Sequence, residues 1–243
     1  MATLPQVAMV LSAGHGTRMG ALSKTTPKPL VKVLGRTLLD RILDKLDNVG
    51  IERTVVNVHH LADQMEAHLL QRKQGPEIII SDERSALLGQ GGGVEKALPH
   101  FGDKPFFAIN SDALWVDEGS NALDKLAQNY DPKKMDILLL VTPSKTALGY
   151  DGDGDLFMDE SGQLSWKGDA ARAPYVYAGV QILTSGLFEN TPKGLWSLKE
   201  LYIRAEKAGR LYGCLLDGHW MHVGTEQTIA RAEQKLLSLG ELV

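Results

Sequence analysis

A short apolar run that breaks into a glycine-rich loop is the feature of this sequence that most limits its possible folds. Val7–Leu11 has only apolar side chains, which is typical of a buried strand, and Gly14 and Gly16 follow directly. Because glycine lacks a Cβ, its backbone can approach an anion closely and turn N–H groups toward it. The pattern therefore predicts an α/β protein whose first strand leads into a phosphate-binding loop.

Two cations and two prolines near this loop make the phosphate prediction more specific. The planar guanidinium of Arg18 can grip phosphate oxygens, and Lys28 lies between Pro27 and Pro29, which restrict the backbone around it. No Walker loop is present, because Gly-Lys-Ser/Thr is missing at the required spacing. A dinucleotide fingerprint also fails, because Met19 stands where its third glycine would be. The sequence favours a polyphosphate loop of another kind.

These residues resemble the signature of the sugar-phosphate nucleotidyltransferases, Leu-x-Ala-Gly-x-Gly-Thr-Arg followed by Pro-Lys-Pro/Ala-Leu. The resemblance extends from about Gln6 to the C-terminus. It implies that the partners are a nucleoside triphosphate and a sugar 1-phosphate, that pyrophosphate is released and that Mg²⁺ is the cofactor. It implies catalytic roles for Arg18, Lys28 and Asp112. The implied nucleotide contacts in the first loop are Leu11, Ala13, Gly14, Gly16, Thr17, Arg18 and Lys28.

A second glycine-rich segment, Leu87–Val94, follows the apolar run that ends near Ile80. Three consecutive glycines are costly unless the backbone must be bare, either because a flat ring approaches it or because a helix starts there. The resemblance implies that this segment packs on the nucleotide base, with Gln90, Gly91 and Gly92 as contacts. Many family members read LGTAG where this chain reads LGQGGG, so the identity of the base stays open.

Two polar positions at strand ends are candidates for a metal site. Asp112 follows the run Phe106–Ile109, where a carboxylate can hold Mg²⁺ beside phosphates, although a turn or cap aspartate would look the same. The family usually has Gly-Asp here, and Ser111 replaces the glycine. In Gly218–Thr225 the family has a second metal-binding aspartate, whereas this chain has His222, whose imidazole suits softer metals. Three interpretations of His222 stay open: a metal contact, a phosphate contact or a structural histidine.

The later part of the chain resembles the family less sharply. Gly149, Lys167 and Gly179 match positions that line the sugar-phosphate pocket, although a solvated hairpin lysine would look the same. Asn57–Leu61 and Ala173–Gly179 are most similar to the short branch that includes uridylyltransferases of N-acetylmuramate 1-phosphate, in cell-wall sugar recycling. Guanylyl transfer to mannose 1-phosphate, thymidylyl or uridylyl transfer to glucose 1-phosphate and cytidylyl transfer to phosphocholine stay open. A non-catalytic nucleotide-sugar sensor is the alternative of another class.

Alternating apolar runs and amphipathic segments predict the fold class. We expect a three-layer α/β sandwich with a Rossmann-like mixed, mostly parallel sheet. One domain is expected over residues 1–243, with a nucleotide-binding half to about residue 142 and a sugar-facing half from about residue 143. The predicted strands are Val7–Leu11, Thr54–Val58, Glu77–Ile80, Phe106–Ile109, Ile137–Val141 and Tyr175–Leu183, with a hairpin of Leu156–Met158 and Leu164–Trp166.

Composition argues against several other classes of protein. The net charge is −4 without a basic block, so no nucleic-acid partner is expected. No signal peptide and no apolar run near ~18 residues is present, so we expect no membrane partner and a cytoplasmic protein, monomeric or a small homo-oligomer. Cys214, the one cysteine, lies in an apolar run and is expected to be a buried structural thiol. The acidic loop Asp151–Asp155 lacks the spacing of a calcium-binding EF-hand.

Overall fold

The computed structural model describes residues 5–241, along which strands and helices alternate. The strands are β1 (Val7–Leu11), β2 (Lys32–Val33), β3 (Arg36–Thr37), β4 (Arg53–Val58), β5 (Glu77–Asp82), β6 (Phe106–Asn110), β7 (Ala113–Asp117), β8 (Ile137–Pro143), β9 (Leu156–Met158), β10 (Leu164–Trp166), β11 (Tyr175–Leu183), β12 (Leu211–Leu215) and β13 (Gly218–His222). The helices are α1 (Leu38–Asn48), α2 (Ala62–Gln71), α3 (Gly89–Ala97), α4 (Ala122–Asn129), α5 (Lys199–Lys207) and α6 (Glu226–Ser238).

A nine-stranded mixed sheet runs through the protein. Strands β6, β1, β4 and β5 are parallel neighbours in that order. Strand β11 runs antiparallel to β6 and β8, the hairpin of β9 and β10 extends the sheet from β11, and β12 lies parallel to β8. Because the carboxyl ends of parallel strands share one edge of a sheet, the segments that follow β1, β4, β5 and β6 meet there.

Helices cover both faces of this sheet, which confirms the predicted three-layer α/β sandwich. Phe106 and Phe107 are adjacent on β6 and therefore point to opposite faces. Phe107 is buried with residues of α1, α2 and α4, including Leu39, and Phe106 is buried with residues of α3 and α5, including Val94. The two apolar clusters hold the central strands between two helical layers.

The predicted strands are confirmed with small changes at their ends. Val7–Leu11, Tyr175–Leu183 and both hairpin strands have the predicted bounds, and the other predicted strands are one or two residues longer. Helix α3 begins at Gly89, so the glycine run lies inside a helix. The division expected near residue 142 falls within β8, and it stays a prediction.

A second, two-stranded sheet of β7 and β13 is not predicted by the apolar pattern. Its strands are antiparallel, with Trp220 opposite Trp115 and His222 opposite Ala113. Strand β7 starts directly after Asp112, so the sheet begins at the proposed metal position. Its pairing joins segments that are far apart in the sequence, which local periodicity does not reveal.

Two further expectations concern the cysteine and the membrane. Cys214 is buried in β12, as predicted, and this burial raises the pKa of its thiol. Within residues 5–241, no helix combines the length and the apolar character that crossing a membrane requires.

Candidate active site

A cleft of about 730 Å³ opens where the parallel strands end. Its walls come from the loop after β1, the ends of β4 and β6, the start of α3, and strands β11 and β13. All of the predicted site residues line this cleft except Gly91, Gly92 and Lys167. The structure thus brings most of the proposed site together, and the role of each residue toward a ligand stays a prediction.

The first glycine loop forms one wall of the cleft. Gly16 has a left-handed backbone with φ of +62°, and a Cβ at this position would lie 3.1 Å from the Cβ of Lys28. Glycine is therefore needed both for the turn and for the close approach of the lysine stem. Arg18 is exposed in the turn that follows and also lines the cleft. One wall thus carries an exposed cation and a buried cation.

Asp112 connects the polar side chains of the cleft. The ammonium of Lys28 donates to Oδ2 of Asp112 at 2.6 Å, and Nε2 of His222 lies 3.2 Å from the same oxygen. Burial alone raises the pKa of the Asp112 carboxyl. The hydrogen bond with His222 and the charge of Lys28 outweigh that effect and hold this pKa well below its usual range. Asp112 is therefore a carboxylate that is held by two neighbours.

His222 is fixed beside Asp112 by close packing. Its ring lies parallel to that of Trp220, with 6.1 Å between centroids, and its Nδ1 is 3.4 Å from the carbonyl oxygen of Gly149. A Cβ at Gly149 would lie only 2.3 Å from the carbonyl oxygen of His222, so this position requires glycine. The indole N–H of Trp220 donates to the carbonyl of Ala178 at 2.8 Å. The packing therefore explains why Gly149 is glycine without assigning it a ligand.

The side chains of the cleft provide only part of a magnesium site. Within residues 5–241, no group of three histidine, cysteine, aspartate or glutamate side chains converges as a metal site would require. Mg²⁺ prefers six oxygen ligands, and it is commonly held by one or two carboxylates together with phosphate oxygens and water. Asp112 fits such a partial role, whereas His222 adds a nitrogen, which is a poor ligand for this ion. The donor set fits a metal ion whose other ligands come from a bound triphosphate.

The glycine run of α3 is explained by a tryptophan. A Cβ at Gly91 would lie 2.2 Å from the ring of Trp196, and a Cβ at Gly92 would lie 2.1 Å from the carbonyl oxygen of Gly194. Both glycines are buried and do not line the cleft, so packing explains why they are glycine, and their contact with a base stays a prediction. A flat ring does approach the bare backbone, as predicted, but the protein itself supplies it. The neighbouring Gln90 lines the cleft.

Of the two predicted polar contacts Gln90 and Lys167, only Gln90 lines the cleft. The side-chain amide of Gln90 donates to Oδ1 of Asn110 at 3.1 Å, and Asn110 lies two positions before Asp112 in the sequence. Lys167 follows β10, where its backbone N–H donates to the carbonyl of Asp155, and it does not line the cleft. The expected lysine contact to the sugar phosphate is therefore not supported, because the hairpin carries this residue outside the cleft walls.

Several residues of the cleft were not singled out from the sequence. The side of the cleft near Gly149 contains Tyr150 and Asp155, whose hydroxyl and carboxylate are hydrogen-bonded at 2.8 Å. Asn57 and Asn110 line the cleft at the ends of β4 and β6. Asn110 closes the apolar run of β6, which was an available signal, whereas Asn57 is followed by Val58 within β4.

Three histidines meet next to the glycine loop. The ring of His15 lies edge-on to His59 and His60, with centroid distances of 5.3 and 5.5 Å. Nδ1 of His59 is 2.7 Å from the carbonyl oxygen of Glu83, and Nε2 of His60 is 2.7 Å from that of Ser23. The contacts of His59 and His60 are therefore those of loop packing.

This fold and cleft are those of a nucleotidyltransferase. The chain matches the model of the MobA-like NTP transferase domain over residues 8–219 and belongs to that family. The match confirms the resemblance that the Gly-x-Gly-Thr-Arg and Pro-Lys-Pro segments carry, and with it the enzyme class.

Relatives are similar to this chain along almost its whole length. A protein named N-acetylmuramate alpha-1-phosphate uridylyltransferase, from Caulobacter vibrioides, is 41% identical over 239 residues, which cover 97% of this chain and 99% of the relative. A protein of the same name from Neisseria meningitidis is 30% identical, covering 93% of this chain and 96% of that protein. Among solved structures, the inositol-1-phosphate CTP transferase from T. maritima superimposes with a TM-score of 0.78 at 18% identity over 100% of both chains, which shows the shared fold.

Proposed function

We propose that this enzyme transfers the uridylyl group of UTP to N-acetylmuramate 1-phosphate in cell-wall sugar recycling. The observation that carries this choice of substrates is the 41% identity, over 97% of this chain, to the Caulobacter vibrioides protein with that name. The cleft supports the reaction type, because Arg18, Lys28 and Asp112 line it together.

The reaction needs no nucleophile from the protein. An oxygen of the sugar 1-phosphate attacks the α-phosphorus of UTP, the bond from that phosphorus to the bridging oxygen breaks, and pyrophosphate leaves. The attacking phosphate is already an anion, so the main obstacle is repulsion between two sets of negative charges. Catalysis then depends on positioning the substrates and offsetting their charge.

The two cations of the glycine-loop wall suit this task. The exposed Arg18 can hold the departing pyrophosphate through its guanidinium fork. Lys28 can move its ammonium from Asp112 to the substrates, where it would offset charge between the α-phosphate and the sugar phosphate. Mg²⁺ would be held by Asp112 together with phosphate oxygens, and it would supply further positive charge there.

A matrix of four nucleoside triphosphates against several sugar 1-phosphates, read as pyrophosphate release, tests this proposal. UTP with N-acetylmuramate 1-phosphate should give the highest kcat/KM. A preference for GTP with mannose 1-phosphate, or for a nucleotide with glucose 1-phosphate, would replace the proposed substrates. Nucleotide-sugar binding without turnover in any pair would favour the sensor, for which the replacements Ser111 and His222 are the available hints.

A further inference from the structure

A buried chain of hydrogen bonds crosses the ends of three adjacent parallel strands. Ser12 follows β1, and its backbone N–H donates to Oδ1 of Asn57 at 2.7 Å. Asn57, near the end of β4, donates from Nδ2 to Oε1 of Glu83 at 2.7 Å, and Glu83 directly follows β5. Asn57 and Glu83 are 2% and 0% exposed. The contacts therefore link the first glycine loop to the segment after β5 without passing through solvent.

The second oxygen of Glu83 holds the other side of the cleft. Oε2 accepts from the backbone N–H of Leu88 at 3.1 Å, and the carbonyl of Leu88 accepts from the N–H of Trp196 at 3.1 Å. The flanking residues Leu87 and Gln90 line the cleft. Glu83 thus fixes the segment from which the predicted base contact, Gln90, projects.

The carboxylate of Glu83 is buried without a cationic partner among the described residues. An isolated carboxylate is costly to bury unless hydrogen bonds satisfy its oxygens. Each oxygen here accepts one such bond, so both donors, the Asn57 amide and the Leu88 N–H, depend on this one side chain. A residue that offers a single acceptor would leave one of them unsatisfied.

The third glycine of the run makes room for this contact. A Cβ at Gly93 would lie 2.8 Å from Oε1 of Glu83 and 2.9 Å from Nδ2 of Asn57. Helix α3 therefore packs directly on the hydrogen-bonded pair, and the pair cannot move toward the helix. Asn57 is held by Ser12 and Glu83, Glu83 is held by Asn57 and Leu88, and helix α3 covers one side of the pair.

We propose that Glu83 is a positioning residue for nucleotide binding. Through Asn57 and Leu88 it sets the separation between the loop that carries Ser12 and Gly16 and the segment that carries Gln90. The glycine loop would bind the phosphates, and the segment of Gln90 would bind the base. A change in the distance between them would therefore weaken nucleotide binding more than sugar-phosphate binding. This inference rests on the proposed function only in taking the cleft as the nucleoside triphosphate site.

The test exchanges donor and acceptor across the Asn57–Glu83 contact. Glu83→Gln places one amide against another and should weaken binding of the nucleoside triphosphate about tenfold. In the double variant Asn57→Asp with Glu83→Gln, Asp accepts from Ser12 and from the new amide, whose oxygen accepts from Leu88. Binding should recover to within about threefold of wild type. The recovery is incomplete because the charge now lies closer to the phosphates.

The control is Thr54→Val, on the same strand as Asn57. Thr54 is 0% exposed and its hydroxyl has no hydrogen-bond partner in the described residues, so this change removes an equally buried polar group without breaking a contact. It should leave nucleotide binding within about twofold. Calorimetry would use the tightest binder among ATP, CTP, GTP and UTP, without sugar phosphate. The KM of the sugar phosphate should stay within about twofold in every variant.

Two results would overturn the inference. One is that Glu83→Gln binds the nucleotide as tightly as wild type, and the other is that the double variant binds no better than Glu83→Gln. If Glu83→Gln does not fold, Gly93→Ala is the second variant, because its methyl group displaces Glu83 and Asn57 while keeping both side chains. It should weaken nucleotide binding about fivefold, and unchanged binding would contradict the inference. Nucleotide binding without pyrophosphate release would refute the proposed function alone, and failure to bind any of the four nucleotides would refute both.

Discussion

Replacing Lys28 with alanine tests the central electrostatic role in the cleft. The side chain of Lys28 is 10% exposed, so its charge acts in a medium of effective dielectric constant about 20 rather than that of water. At about 4 Å from a phosphate charge, an ammonium then contributes about 4 kcal/mol. If most of this acts in the transition state, kcat/KM should fall by about 10²–10³-fold.

Lys28→Ala should also lower stability, because Lys28 is buried and paired with Asp112. Removing one partner of a fully buried ion pair costs about 3–5 kcal/mol. Asp112 keeps His222 and is 23% exposed on its side chain, so we expect about 1–2 kcal/mol here. For a chain of this length, that is a decrease in Tm of roughly 2–8 °C.

Lys45→Ala is a matched control for this substitution. Lys45 pairs with Asp117 at 2.8 Å, with 23% and 18% of the side chains exposed, and neither residue lines the cleft. Its loss should lower the Tm to a similar extent and change kcat/KM by less than about twofold. The assay is steady-state pyrophosphate release with thermal melting of each variant. A folded Lys28→Ala enzyme with less than a fivefold loss, or equal losses in both variants, would refute the role.

Further tests concern the metal and the pH dependence of stability. Asp112→Asn should lower kcat/KM at least about 10²-fold, and EDTA should stop the wild-type reaction; undiminished turnover in EDTA would sink the Mg²⁺ assignment. His222→Asp should tighten Mg²⁺ in calorimetry without nucleotide, since it adds a carboxylate beside Asp112; equal affinities would place position 222 outside the metal site. Burial and the hydrogen bond to Asp155 raise the pKa of Tyr150 to about 12. The unfolded state therefore loses that proton first, so stability should fall between about pH 10 and 12, less steeply in Tyr150→Phe; equal slopes in denaturant titrations would contradict this.

The sequence predicted the parts of the site that depend on local pattern. Val7–Leu11 is a strand because every residue can be buried, and the glycine loop after it must lie at the carboxyl edge of a parallel sheet. Lys28 and Asp112 are separated by 84 positions, yet each follows a recognisable signal, a Pro-Lys-Pro segment and a strand end. Lys28 and Asp112 come into contact because the segments after the parallel strands β1 and β6 meet at the same edge of the sheet.

What the sequence did not predict depends on contacts between distant segments. Gly91 is glycine because of Trp196, which lies more than a hundred positions later, and no local pattern connects the two. Lys167 had the right charge for a phosphate contact, but the hairpin geometry carries it away from the cleft. The buried Glu83 looked like any surface glutamate, because its donors belong to β4 and to a loop.

The pairing of β7 with β13 has a mechanical consequence. Asp112 directly precedes β7, and His222 ends β13 opposite Ala113, so both side chains belong to the same end of one ribbon. Lys28 comes from a separate segment, beside the first glycine loop. A tilt of the ribbon would carry Asp112 and His222 together, keeping their spacing while it opened the gap to Lys28. The Lys28–Asp112 contact is thus the place where this end of the two-stranded sheet meets the segment beside the first glycine loop.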